Sequence, residues 1–239
     1  MTHRGPTPPG RAWKNKRDAK TQRQAYGITV LKAADSRVRG LMRDHEPSIH
    51  GHKFWSSCWV MIDYLAYQGL PYGARVTEVG CGWGLAGIFC ARAFGAHVVG
   101  VDADPEVFPY LHLHARLNEV EIETVTAKFE DLTGDRLAGQ DLLIASDVCF
   151  WDEMADPLFE LVRRAVQAGV QQVLIADPGR PPFSQMGRRC VEELGAEVKE
   201  WDTDGPARAS GYLLIVGSLP LRAAGRRGRV STTAPCPRR

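Results

Sequence analysis

A short apolar run, Val76 to Val79, carries one carboxylate, Glu78, and passes straight into Gly80-Cys81-Gly82-Trp83-Gly84. Apolar residues then recur at helical spacing from Leu85 to Phe94. No other stretch limits the fold so tightly. Glycines here allow a bend that side chains would obstruct, and they let the backbone come close to a ligand. The helix that follows opens with unpaired N–H groups at the same point. The expected local unit is strand, glycine turn, helix.

The chain repeats that alternation. Strands are expected at Arg75–Val79, His97–Val101, Glu123–Ala127, Leu142–Ala145 and Gln172–Ala176. Helices are expected at Leu85–Phe94, Pro105–Leu117, Met154–Ala168 and Phe183–Leu194. Short apolar strands alternating with helices indicate a parallel sheet covered on both faces. Glu197–Trp201 and Gly211–Gly217 break the pattern, because their Gly/Pro-rich connection leaves no room for a crossover helix. Strands so joined should run antiparallel. The expected fold is α/β, a doubly wound seven-strand sheet of five parallel strands with a terminal antiparallel pair.

Ahead of the sheet, apolar Ile28, Val30, Leu31, Ala34, Val38, Leu41 and Met42 predict a helix over 28–43, ended by Pro47. A second helix is expected over Ser57–Gln68, with Ser56 or Ser57 as N-cap and Gly69 as its stop. Residues 25–70 thus form a helical extension and residues 71–218 the sheet domain, between tails at 1–24 and 219–239 whose composition predicts disorder. Each tail carries a net +6 against +2 for all 239 residues, so the body between them holds −10. Basic ends of this kind either bind nucleic acid or an acidic partner, or are simply solvated. No apolar run approaches the roughly 18–20 residues that cross a bilayer, and no signal-peptide core is present, so a cytoplasmic chain without membrane contact is expected. The six cysteines show no CxxC spacing, and His50/His52 and His112/His114 supply only two ligands each. Reduced thiols and no metal are expected.

Two cofactor classes use a strand–glycine–helix turn. Gly82-Trp83-Gly84-Leu85-Ala86-Gly87 fits GxGxxG, the dinucleotide pattern, and Asp102, about 20 residues on, would bond ribose hydroxyls in either class. Glu78 separates them, because a carboxylate inside an apolar strand is costly without partners and a nicotinamide enzyme has no evident need of it. Glu78-Val79-Gly80-Cys81-Gly82-Trp83-Gly84 resembles motif I of the class I, seven-strand S-adenosylmethionine-dependent methyltransferases. The resemblance implies a Rossmann-like sheet with S-adenosyl-L-methionine as cofactor. It places the cofactor on Glu78, Gly80, Cys81, Gly82, Gly84, Asp102 and Ala103, with Phe129 and either Glu130 or Asp131 around the adenine. Trp55 would cover the cofactor or serve as a packing aromatic.

Substrate chemistry is expected after the fourth strand, in Ser146-Asp147-Val148-Cys149-Phe150-Trp151-Asp152-Glu153. An acid at that sheet edge lies where doubly wound domains bind ligands. Asp147 would orient an amine, with Phe150 and Trp151 as apolar walls that favour its neutral form. The alternative is that Asp147 or Asp152 caps the next helix, with the aromatics in the core. The motifs of amino-methylating and cytosine-C5 nucleic-acid enzymes are missing from this position, and an acidic body repels phosphate, so nucleic acid is disfavoured. Trp55, Asp147-Val148-Cys149-Phe150 and Asp177-Pro178-Gly179-Arg180 resemble the protein-lysine methyltransferases of methyltransferase family 16, of the electron-transfer-flavoprotein β-subunit type, over residues 50–217. Phe150 departs from that pattern, where a tyrosine is expected. Arg180 would reach an acidic substrate or the cofactor carboxylate, or form a surface ion pair. A monomer or weak oligomer that methylates a protein lysine is the leading expectation. A small-molecule N- or O-methyltransferase and a non-catalytic cofactor-binding module are the alternatives.

Overall fold

The computed structural model describes residues 20–48, 51, 53–203 and 205–219. Most of both basic tails therefore lies outside the described residues. The first elements among the described residues are a hairpin, β1 (Gln22–Ala25) and β2 (Ile28–Leu31), paired antiparallel with Ala25 opposite Ile28. This corrects the helix expected over 28–43 and with it the wholly helical extension. Tyr26 and Gly27 have φ of 51° and 79°, the pair of positive values that a two-residue type I′ turn requires. Ile28 and Val30 face inward on a strand, and a true helix follows, so the two together imitate a single helical period. That helix, α1 (Ser36–Asp44), starts at Asp35, whose carboxylate accepts the Arg37 N–H. The next, α2 (Ser57–Gln68), is buried along most of its length and ends at Gly69.

The main sheet contains β3 (Arg75–Val79), β4 (His97–Asp102), β5 (Glu123–Thr126), β6 (Leu142–Ser146), β7 (Gln172–Asp177), β8 (Glu197–Asp202) and β9 (Ser210–Gly217). Its spatial order is β5-β4-β3-β6-β7-β9-β8. The pairs among β3 to β7 are parallel, whereas β9 runs antiparallel to both β7 and β8. The connecting helices are α3 (Leu85–Phe94), α4 (Phe108–Leu117), the short α5 (Gly134–Leu137), α6 (Ala155–Gln167) and α7 (Pro181–Leu194).

Side chains alternate across the sheet and create two cores. Leu142, Ile144, Leu174 and Ala176 pack with α2, α3, α4 and the hairpin on one face. Leu143, Ala145, Val173 and Ile175 pack with α6 and α7 on the other. Such strands are apolar on both sides, which makes their sequence runs continuous. The chain winds outward from β3 to β5, then returns to β6 on the opposite side of β3. A crevice opens beyond the strand ends where the winding reverses. No helix among the described residues is long and apolar enough to cross a membrane.

Candidate active site

The glycine turn lies at that reversal. Gly80, Gly82 and Gly84 all have positive φ, and a Cβ placed on Gly82 would meet nothing within 4 Å, so its backbone faces open space. Gly82 donates its N–H to Asp102 Oδ2 at 3.0 Å, and Asp104 donates to Asp102 Oδ1 at 3.0 Å. Burial raises the Asp102 carboxyl above its ordinary range, and the N–H donors only partly offset that. Glu78, beneath the turn, accepts the Gly87 N–H at 2.9 Å and so ties β3 to the first turn of α3. Burial pushes its carboxyl up to about 8, against the pull of the Gly87 and Ala86 N–H groups. A Cβ on Gly87 would stand 2.6 Å from Glu78 Oε2, so only glycine leaves room for this contact.

A cleft of about 310 Å³ extends from this turn and is lined by Trp55, Gly80, Gly82, Asp102, Ala103, Phe129, Glu130, Asp147 and Phe150. Glu78, Cys81 and Gly84 lie behind it, around a cavity of about 50 Å³ that shares Lys53, Trp55, Gly80, Gly82 and Ser146 with the cleft. Of the two acids after β5, Glu130 lines the cleft, while Asp131 accepts the Lys128 N–H within its own 3-10 turn. Trp151 lines neither space. It is 49% exposed and packs on Phe150 with ring centroids 5.9 Å apart.

Asp147 is buried and adopts φ 59°, a left-handed conformation that is rare for a residue with a side chain and recurs at functional sites. Its Oδ1 pairs with Arg180 Nη2 at 2.7 Å, and its Oδ2 accepts the Ser57 N–H at 3.1 Å. It therefore serves the start of α2 rather than the helix that follows it in sequence. Ser56, at the N-cap of α2, makes no capping bond of its own. Arg180 also pairs with Asp177 Oδ2 at 2.7 Å and lies 4.4 Å from the Phe150 ring centroid. Its partners are both buried acids, so a surface ion pair does not describe it. Phe150 meets Trp55 at 5.6 Å, and the Lys53 ammonium stands 4.0 Å from the Trp55 ring centroid.

Several lining residues escaped the sequence reading. Met154 and Pro157 follow the segment around Asp147 and line the cleft, and Lys53 and Lys128 bring positive charge to it. Lys53 stands two residues before Trp55, so a cation beside a flagged aromatic was the available signal.

Residues 76–169 match a family described as a methyltransferase domain. Over 140 residues the chain is 32% identical to an electron transfer flavoprotein beta subunit lysine methyltransferase of Xenopus laevis, covering 56% of this chain and 56% of the relative. Over 99 residues it is 32% identical to a ubiquinone biosynthesis O-methyltransferase of Xanthomonas campestris, covering 41% of this chain and 40% of the relative. The chain thus spans about half the length, or less, of these curated relatives. A solved tRNA (uracil-54, C5)-methyltransferase of Pyrococcus abyssi, in complex with S-adenosyl-L-homocysteine, superposes with a TM-score of 0.55 at 16% identity. That match covers 81% of this chain and 43% of the other, and it shows the shared fold.

Proposed function

We propose that this chain, with a methyltransferase domain at residues 76–169 of a seven-strand sheet, is an S-adenosylmethionine-dependent N-methyltransferase whose acceptor is a protein lysine. One observation carries the cofactor assignment. Gly82 turns bare backbone toward the cleft while Asp102, bonded to the Gly82 N–H, lines the same space. An adenosyl group fits these residues, with Asp102 accepting from ribose hydroxyls and with Ala103, Phe129 and Glu130 around the base. Glu78 acts from below by holding the turn and α3 together.

When bound, S-adenosylmethionine supplies a methyl group on a sulfonium, a leaving group already activated. The protein's task is to hold an electron-rich nitrogen in line and away from water. Trp55, Phe150, Met154 and Pro157 give the cleft apolar walls, which favour an amine in its neutral form. Asp147 uses two of its roughly four acceptor positions on Arg180 and Ser57, and the others remain for an acceptor N–H. Arg180, shared between Asp147 and Asp177, holds the Asp147 carboxylate in the position from which it orients the nitrogen. The relative named as a lysine methyltransferase supports lysine as the target.

A small-molecule acceptor is the second reading, favoured by the match to an O-methyltransferase and by Phe150 in place of a tyrosine. Incubating cell lysate with the purified protein and radiolabelled S-adenosylmethionine, then digesting with protease or nuclease, tests both. Protease-sensitive label on lysine is expected. Label confined to low-mass metabolites would transfer the assignment to the second reading, and binding without any turnover would leave a cofactor-binding module.

A further inference from the structure

We propose that Lys53 is the cation that receives the carboxylate of the cofactor's amino-acid end. The inference rests on the cofactor reading above. A bound adenosyl amino acid brings a carboxylate into a space already rich in acids. Asp102, Asp147, Glu130 and Glu153 all line the cleft. Asp147 has its cation in Arg180, whose two salt bridges are both already made. An incoming anion needs another.

Among the described lining residues the cations are Lys53 and Lys128. Lys128 stands beside Phe129 and Glu130, at the adenine end, and does not reach the smaller cavity. Lys53 lines both spaces, next to Gly80 and Gly82. Its segment is fastened to the glycine turn itself, because Trp83 Nε1 donates to Gly51 O at 2.9 Å. Its ammonium rests on the Trp55 ring at 4.0 Å, a contact that is weak when exposed, so the flexible side chain can leave it for a carboxylate. A charge-assisted hydrogen bond is the stronger of the two.

The test is calorimetric titration of the full chain, its Lys53→Met variant and its Lys53→Arg variant with S-adenosylhomocysteine and with methylthioadenosine. The second ligand keeps the nucleoside and thioether but has no amino-acid end. Lys53→Met should weaken S-adenosylhomocysteine roughly ten-fold or more while leaving methylthioadenosine unchanged. Lys53→Arg should recover most of the loss. An equal loss for both ligands would make Lys53 a general packing residue and overturn the inference, as would wild-type affinity of Lys53→Met for S-adenosylhomocysteine. If the unaltered chain binds neither ligand, the cofactor reading itself falls and takes this inference with it.

Discussion

Glu78 sits in a buried strand with its carboxyl raised to about 8, so near neutral pH it is mostly protonated. In the unfolded chain its value is 4.5, so the folded state binds the proton more tightly. Stability from this group is therefore full below 4.5 and is lost as the pH rises through about 8. Glu78→Gln, which carries no such charge, should lose less stability than the unaltered protein across that window. Urea melts at a series of pH values check this, and parallel profiles would contradict it. The neighbour Gly87 is as constrained. A methyl group there meets both Glu78 Oε2 at 2.6 Å and Val98 Cγ1 at 2.8 Å. Gly87→Ala should cost about 1–3 kcal/mol, read as a lower Tm, and should weaken S-adenosylhomocysteine binding through the displaced turn. Glu78 and Asp102 stood out in the sequence because each is an acid at a fixed distance from a glycine turn. Arg180 stood out as part of a turn motif, but its pairing with Asp147 did not, because Asp147 lies 33 residues earlier and only folding brings them together.

Elements join through similar single contacts. The outer strand β2 docks on α4, with the Thr29 N–H on Asn118 Oδ1 at 2.7 Å and the Leu31 N–H on His114 Nε2 at 3.1 Å. Because His114 accepts the Leu31 N–H at Nε2 its ring must be neutral, with Nδ1 donating to Tyr110 O, and burial holds its pKa below 6.5. The unfolded chain takes the proton first, and stability falls as the pH drops below 6.5. On acidification the protection factor of the Leu31 amide, corrected for intrinsic exchange at each pH, should fall ahead of those of the β6 and β7 amides. At the start of α2, Asp147→Asn keeps an oxygen for the Ser57 N–H, whereas Asp147→Ala leaves that N–H and one arm of Arg180 without a partner. Both should reduce kcat with S-adenosylhomocysteine affinity largely kept. Only Ala should also lower stability substantially, by about 3 kcal/mol, seen in thermal melts. The main strands and helices over 75–217 were legible because most are apolar or single-period runs set off by turn residues, whereas the one-turn α5 was too short to be read. The hairpin was not, since strands of four residues joined by a two-residue turn are too short to display a period of their own.

At the scale of the molecule, two cores on opposite faces of one sheet make the strand ends a rigid rim, and the cleft occupies that rim. A ligand that binds only the folded form stabilises it by mass action, by about 2.7 kcal/mol at a hundred times Kd. For a chain of this size that corresponds to a rise in Tm of about 5–10 °C. S-adenosylhomocysteine should produce it in differential scanning calorimetry and NAD should not. A larger shift with NAD would reverse the cofactor assignment. The five parallel strands and the terminal antiparallel pair followed from the sequence, because helices separate the former and the last two strands have no crossover. The shape of the acceptor side did not follow, because it depends on how Trp55 meets residues a hundred positions away.

Asp147, Arg180 and Asp177 form a knot that also anchors the start of α2. Asp147 thereby has two tasks, in the cleft it lines and in the helix it fastens. Exchanges at Phe150, Glu153, Met154 or Pro157 would reshape the room offered to a guest, whereas an exchange at Asp147 would loosen the roof before it changed who could enter.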